Sequence, residues 1–139
     1  MAVDPDRLAA HPLFRSLDAH ERGRVAELAC ERRAEAGERI VRQGEFGADV
    51  YAIEAGRVQV ERNARAVAEL GPGEFFGEVA VVDWWNADNW NVRRRNASVT
   101  ALEPTVLIEI GGREFKHLVR TLPEVAERVS EAVRGRSYD

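Results

Sequence analysis

The sequence predicts a mainly β protein, an antiparallel sandwich or barrel with helices before and after it. Between about residues 31 and 110, short apolar runs with strand character recur at roughly 8–12-residue spacing, separated by glycine-containing turns. Toward both ends of the chain, the apolar residues fall instead at the spacing of amphipathic helices. This order of helix, strands and helix favours an all-β core with helical flanks.

The N-terminal part is predicted to contain a short helical stretch and then a longer helix. Asp4-Pro5 opens the first stretch, to about Ala10, and Asp18 can cap the second. The inward residues of this second helix are expected to include Leu17, Val25, Leu28 and Ala29. We expect Cys30 at the end of its buried side, as an inert packing thiol.

Six runs in the middle of the chain have strand character. They are residues 39–42, 50–53, 58–60, 66–70, 97–101 and 106–110. Glycines such as Gly44, Gly56 and Gly73 stand between the runs and supply the positive φ angles that tight corners require.

Two amphipathic helices are predicted over about residues 112–135. The inward residues of the first are Phe115, Leu118, Val119 and Leu122. Pro123 breaks the pattern, and Gly135 is expected to cap the end of the second helix. The apolar residues of the second helix are Val125, Val129, Ala132 and Val133.

Length and composition exclude several classes of protein. The chain has 139 residues and a mass of 15.6 kDa, which predicts a single domain over residues 1–139. A net charge of -4 and a pI of about 5.5 argue against direct nucleic-acid binding or an anionic membrane surface through a basic face. We find no apolar run approaching the roughly 18 residues of a membrane span.

Chemistry that depends on metals, disulfides or a catalytic nucleophile has little support. Cys30 is the only cysteine, so no internal disulfide is possible, and a reducing cytoplasm is the expected location. The three histidines are scattered without metal-ligand spacing, and no nucleophile elbow or phosphate loop is present. We therefore expect no metal, no cofactor and no enzymatic activity.

The most informative stretch runs from Gly71 to Ala80 and is followed by residues 95–101. A glycine-rich turn that opens a helical segment directs backbone N–H groups at one point, which suits an anionic phosphate. The Glu78 carboxylate can accept hydrogen bonds from sugar hydroxyls, and the Arg95 guanidinium presents a fork of donors that matches phosphate oxygens. Together they form a candidate reader of a nucleotide monophosphate.

Four glycine motifs in this order resemble the cyclic nucleotide-binding domain, the sensor domain shared by the catabolite activator protein and protein kinase regulatory subunits. The resemblance covers nearly the whole chain, beginning at His11-Pro12-Leu13-Phe14 and continuing through residues 36–45, 50–60 and 70–78 to the strand led by Arg95. It implies an eight-stranded antiparallel jelly-roll barrel with an N-terminal helix and two C-terminal helices. It also implies a non-catalytic sensor whose C-terminal helices respond to cAMP or cGMP.

By this resemblance, the region from Phe76 to Arg95 is the phosphate-binding cassette. Glu78 matches the acceptor for the ribose 2′-hydroxyl, and Arg95 matches the arginine that pairs with the cyclic phosphate. The remaining ligand-binding positions implied are Phe76, Gly77, Val79, Ala80, Asn96 and Ala97.

The cassette departs from the family pattern through an insertion at about residues 83–94. All three tryptophans, Trp84, Trp85 and Trp90, lie in it. Three roles are open: the rings pack the insertion onto the sandwich or onto a second subunit, one ring stacks on the bound base as a lid, or the insertion remodels or blocks the pocket.

Arg93 and Arg94 precede Arg95 and compete with it for the role of phosphate partner. Three adjacent positive charges beside tryptophans also suit a doubly charged cyclic dinucleotide. The alternative to a cyclic nucleotide sensor is a protein-interaction module that binds a protein partner or forms a homodimer through the insertion.

Overall fold

The structure, a computed structural model, describes residues 3–47, 49–77, 95 and 97–134, with residues 133 and 134 described by their backbone alone. Two helices precede the strands: α1 (Pro5–Ala9) and α2 (Ala19–Leu28). The strands are β1 (Ala29–Ala34), β2 (Arg39–Val41), β3 (Val50–Ala55), β4 (Val58–Arg62), β5 (Arg65–Leu70), β6 (Phe75–Phe76), β7 (Ser98–Ala101) and β8 (Thr105–Ile110). Helices α3 (Gly112–Thr121) and α4 (Pro123–Arg134) follow.

The strands form two four-stranded antiparallel sheets, which confirms the predicted mainly β fold. The first sheet has the order β1-β8-β3-β6, and the second has the order β2-β7-β4-β5. Two facing four-stranded sheets with these strand orders are the jelly-roll arrangement. The hydrogen-bonded ladders of the described residues do not join the two sheets into one closed barrel.

Two apolar clusters lie on opposite faces of the first sheet. The inner cluster fills the space between the sheets and includes Tyr51, Ile53, Phe76 and Leu107. The outer cluster packs the other face of the first sheet against the helices and includes residues such as Phe14 and Phe115. Because successive strand residues point to opposite faces, each strand of the first sheet contributes to both clusters.

The helix boundaries follow the local signals in the sequence. Asp18 forms a capping box with Glu21, which confirms the start of α2. Pro123 divides the C-terminal segment into α3 and α4, as predicted, whereas the expected cap at Gly135 lies outside the described residues. Among the described helices, none combines the length and apolar character needed to cross a bilayer.

The prediction for Cys30 is wrong. Helix α2 ends at Leu28, and Cys30 lies in β1 with a half-buried side chain. Leu28, expected to face inward, is exposed. The reason is the pairing of β1 with β8, in which Cys30 lies opposite Glu109, so the chain leaves the helix two residues before the cysteine.

Candidate functional site

The candidate site is built around Arg95, which lies three residues before the first residue of β7. Its backbone N–H donates to the Glu45 carbonyl at 2.8 Å, and its carbonyl accepts from the Gly44 N–H at 2.8 Å. These two hydrogen bonds attach the arginine to the turn between β2 and β3. The sequence marked this segment only as a glycine turn, so its role in holding Arg95 was not predicted.

The Arg95 side chain is buried, with 9% of the residue exposed. Its Nη2 donates to the Asp49 carbonyl at 2.9 Å, and its Nη1 donates to the Gly77 carbonyl at 3.3 Å. Asp49 directly precedes β3, and Gly77 directly follows β6. The guanidinium therefore lies where β3 begins and β6 ends, at two neighbouring strands of the first sheet.

Burying a guanidinium is costly unless hydrogen-bond acceptors surround it. Here the backbone carbonyls of Asp49 and Gly77 supply two such acceptors. These two hydrogen bonds fix the plane of the guanidinium, and a planar guanidinium is a group whose donors match phosphate oxygens.

Two glycines leave the space that the guanidinium occupies. A Cβ added at Gly47 would lie 2.8 Å from Arg95 Nε and 3.1 Å from its Nη2. Gly77 has a φ of +92°, and a Cβ there would collide with the Asp49 carbonyl oxygen and approach Arg95 Nη1 to 3.2 Å. Gly77 was predicted as a ligand-binding position, whereas Gly47 was not singled out.

The inner cluster lies beside the guanidinium. Phe76 and Ala97, both predicted site positions, are buried in it. The ring of Phe76 stacks on that of Tyr51, with centroids 5.0 Å apart and planes inclined by 20°. Burial raises the pKa of Tyr51 to about 12, so its hydroxyl stays protonated at neutral pH.

Of the predicted site residues, the structure brings together Phe76, Gly77, Arg95 and Ala97. The other predicted positions lie outside the described residues. They are Glu78, Val79, Ala80, Trp84, Trp85, Trp90, Arg93, Arg94 and Asn96. The insertion at 83–94 and the choice between Arg93, Arg94 and Arg95 as phosphate partner therefore remain predictions.

No group of three or more His, Cys, Asp or Glu side chains suited to a metal ion occurs in the described part of the chain. His11 is buried, and desolvation lowers its pKa. Its Nδ1 accepts a hydrogen bond from the Leu13 N–H at 3.1 Å, and its Nε2 lies 3.3 Å from the Glu74 carbonyl. The ring is therefore a neutral structural link between the N-terminal segment and the turn before β6.

A cavity of about 270 Å³ lies elsewhere, between the end of α1 and the β5–β6 turn. Its lining includes Arg7, His11, Glu54 and Pro72, and none of its lining residues belongs to the predicted site. The Arg7 guanidinium at this cavity forms ion pairs with Glu54 and Glu31, so its charge is already balanced by carboxylates of the protein.

Comparisons with known proteins point to one family. Residues 31–121 match the family model of the cyclic nucleotide-binding domain. The chain is 31% identical over 130 residues to the cyclic AMP receptor protein of Thermus thermophilus, a match covering 90% of this chain and 56% of that protein. It is 31% identical over 131 residues to the cAMP-dependent protein kinase regulatory subunit of Eremothecium gossypii, a match covering 94% of this chain and 27% of that subunit.

The fold is similar to that of a solved relative. The Thermus thermophilus catabolite activator protein superposes with a TM-score of 0.73 at 31% identity, over 90% of this chain and 57% of that one. The chain thus spans between about a quarter and somewhat over half of the length of these relatives.

Proposed function

Because the chain belongs to the cyclic nucleotide-binding domain family, we propose that it is a non-catalytic sensor that binds cAMP or cGMP through Arg95. The observation that carries this proposal is the buried Arg95 guanidinium, held by the carbonyls of Asp49 and Gly77 at the start of the cassette. A guanidinium fixed in this way is suited to the single negative charge of a cyclic phosphodiester.

The remaining ligand contacts follow from the family motif. We assign the ribose hydroxyl to Glu78, and the ribose and phosphate surroundings to the backbone of Phe76, Gly77, Val79 and Ala80. Asn96 and Ala97 complete the phosphate side of the site in this proposal. The location of Ala97 in the inner cluster, immediately beyond Arg95, supports a ligand bound at the end of the space between the sheets.

A signal from this site can reach the C-terminal helices through β6. Phe75 and Phe76 are adjacent, yet Phe75 packs in the outer cluster while Phe76 packs in the inner one. The outer cluster also contains Phe115 of α3 and Val125 and Val129 of α4. A displacement of the cassette at Gly77 would thus move β6 and change the packing of the outer cluster, which contains residues of both α3 and α4. We propose this cluster as the relay.

Calorimetric titration tests the proposal directly. We expect cAMP or cGMP to bind the wild-type protein, and Arg95→Ala to weaken binding about 100-fold, because a buried charged partner of the phosphate is lost. Arg95→Lys keeps the charge but not the planar fork, so we expect an intermediate loss. Arg65→Ala, at an exposed arginine of β5, is the control and should bind as the wild type does.

Two outcomes would contradict the proposal. If a folded protein binds neither nucleotide at millimolar concentration, the chain is better explained as an interaction module that uses the tryptophan-containing insertion. If Arg95→Ala binds with unchanged affinity, another group, such as Arg93 or Arg94, holds the phosphate. Release of a linear nucleotide during prolonged incubation would contradict the non-catalytic part of the proposal.

A further inference from the structure

The turn between β2 and β3, which binds the backbone of Arg95, is itself held in place by one residue, Gln43. The turn spans Arg42 to Glu45 and is closed by a hydrogen bond from the Glu45 N–H to the Arg42 carbonyl at 3.2 Å. Gln43 is its second residue, and Gly44, at φ +88°, is its third, where a positive φ favours glycine. Gln43 therefore directly precedes the two residues whose backbone binds Arg95.

Gln43 forms hydrogen bonds through both its backbone and its side chain. Its backbone N–H donates to Ser98 Oγ at 2.8 Å, and Ser98 is a buried residue at the start of β7. Its side-chain Oε1 accepts from the Asn63 N–H at 2.8 Å, and its Nε2 donates to Asn63 Oδ1 at 2.9 Å. Because an N–H can only donate, the Asn63 backbone determines which way the Gln43 amide group faces. We call this reciprocal pair of bonds between Gln43 and Asn63 the amide clamp.

The β4–β5 hairpin has an unusual backbone where it meets the amide clamp. Its loop consists of Asn63 and Ala64, at φ 53° and 65°, the only non-glycine residues with positive φ in the part of the chain that the structure describes. Positive φ at both loop residues matches a type I′ turn, in which glycine is usual at the second position. Alanine is disfavoured at this φ, so contacts from outside the loop must help to hold it. The two bonds of the amide clamp are such contacts.

The amide clamp lies at the surface, because the side chains of Gln43 and Asn63 are both exposed. Its loss should therefore leave the core and the fold intact, and its effect falls on the turn. Without the clamp, Gln43 stays attached to β7 by its backbone alone, and the turn gains freedom to move. Arg95 follows the turn, since two of its backbone hydrogen bonds, each of 2.8 Å, end there.

We propose that Gln43 is a positioning residue for Arg95, and that the amide clamp holds the Arg95-binding turn in the geometry that an anionic ligand requires. A binding group that is already fixed does not have to be ordered when the ligand arrives, which favours affinity. The ligand part of this inference rests on the proposed function, whereas the effect of the clamp on the turn and on Arg95 does not. The inference also makes the β4–β5 hairpin a structural support of the site.

Measurements on the ligand-free protein test the positioning role without a nucleotide. We expect Gln43→Ala to speed amide hydrogen exchange at Gly44 and Arg95 roughly tenfold and to shift the ¹⁵Nε signal of Arg95. Gln59→Ala is the matched control, because Gln59 is the other glutamine of the chain and lies in β4, opposite Thr100 of β7. Exchange rates and an Arg95 signal that are the same in the two variants would overturn the proposal.

Calorimetric titration with cAMP tests the effect on binding. We expect Gln43→Ala to lower the affinity about three- to tenfold, the loss that corresponds to one or two weak hydrogen bonds. Gln59→Ala should bind as the wild type does, and the urea midpoints of the two variants should be similar. Unchanged affinity in a folded Gln43→Ala protein would overturn the positioning role.

Substitutions of Asn63 separate the amide clamp from the other contacts of Gln43. Asn63→Gly keeps the N–H and accepts the positive φ but lacks Oδ1, so the affinity should fall about two- to threefold. Asn63→Asp is the conservative variant: it keeps an acceptor for Gln43 Nε2, and its affinity should stay closer to that of the wild type.

The double variant Gln43→Ala/Asn63→Gly should bind cAMP like Gln43→Ala alone, because both changes remove the same interaction. Additive losses would show that Gln43 acts through other contacts and would overturn the role of the clamp. Absence of cAMP binding to the wild-type protein would contradict the proposed function, and the exchange rates and the Arg95 signal then decide this inference alone.

Discussion

At the scale of single residues, the site depends on a charged side chain whose burial no local pattern predicts. Motif resemblance singled out Arg95, but its acceptors are the carbonyls of Asp49 and Gly77, which lie 46 and 18 residues away in sequence. A single sequence does not show which distant carbonyls converge on one guanidinium. The structure supplies that information, and it also shows why Gly47 has no side chain.

Gly47→Ala is predicted to weaken cAMP binding about tenfold with little loss of stability. The three atoms nearest to the added Cβ all belong to the Arg95 guanidinium, so the methyl group displaces the guanidinium from the position that the carbonyls of Asp49 and Gly77 give it. A shift of this kind disturbs a bidentate phosphate contact more than it disturbs folding. Calorimetry and urea denaturation measure the two effects separately.

Gly23→Ala provides the matched control for Gly47→Ala. Gly23 lies within α2, and a Cβ added there meets no atom within 4 Å. Alanine should stabilise the helix by about 0.5–1 kcal/mol and leave binding unchanged. Equal affinities of Gly47→Ala and Gly23→Ala would show that the space beside Arg95 does not matter.

At the scale of elements, periodicity predicted the helices and strands whose own residues show an apolar pattern. It missed β1 and β6, which are strands because neighbouring strands pair with them. The capped helix α2, the central strands and the break at Pro123 follow local signals. β1 carries three charged residues among its six, and it is a strand because β8 pairs with it along its whole length. β6 has only two residues, too few for any alternation to be recognised.

Helix α1 has five residues, too few for a helix to be stable alone in water, so tertiary contacts must hold it. Arg7 provides them: its Nε donates to Glu54 Oε2 at 2.9 Å, and its Nη2 donates to Glu31 Oε1 at 2.9 Å. Because these groups are about one-third exposed, solvent screening reduces their contribution.

We expect Arg7→Ala to lower the free energy of unfolding by about 1–2 kcal/mol and to speed hydrogen exchange in α1. Arg33→Ala removes a more exposed ion pair with Glu31, within β1 itself, and should cost less than about 0.5 kcal/mol. Equal losses in the two variants would mean that the link from α1 to β1 and β3 contributes nothing of its own.

At the scale of the whole molecule, the first sheet is shared by two clusters. One of its faces lines the space beside Arg95, and the other packs against all four helices, including Leu8, Val25, Phe115 and Val129. The apolar residues Val125 and Val129 of α4 are fully buried in this outer cluster. In this structure, α4 thus packs these two valines against other residues of the same chain.

Phe75→Leu tests whether this shared sheet relays binding. The change keeps an apolar side chain of similar size, so the fold should lose less than about 1.5 kcal/mol. We expect cAMP affinity to stay within about threefold of the wild type, while the ligand-induced change in hydrogen exchange of α3 and α4 becomes smaller. Leu102→Ala, at an exposed leucine after β7, is the control and should leave that change intact. If the ligand-induced change in hydrogen exchange of α3 and α4 is as large in Phe75→Leu as in the wild type, relay through this residue is ruled out.

The central claim is that Arg95 holds the phosphate of a cyclic nucleotide, and a crystal structure of the protein with cAMP tests it most directly. The account predicts phosphate oxygens within about 3 Å of the Arg95 guanidinium, which keeps its contacts to Asp49 and Gly77. A nucleotide bound away from Arg95, or a phosphate held by Arg93 or Arg94 instead, would contradict it.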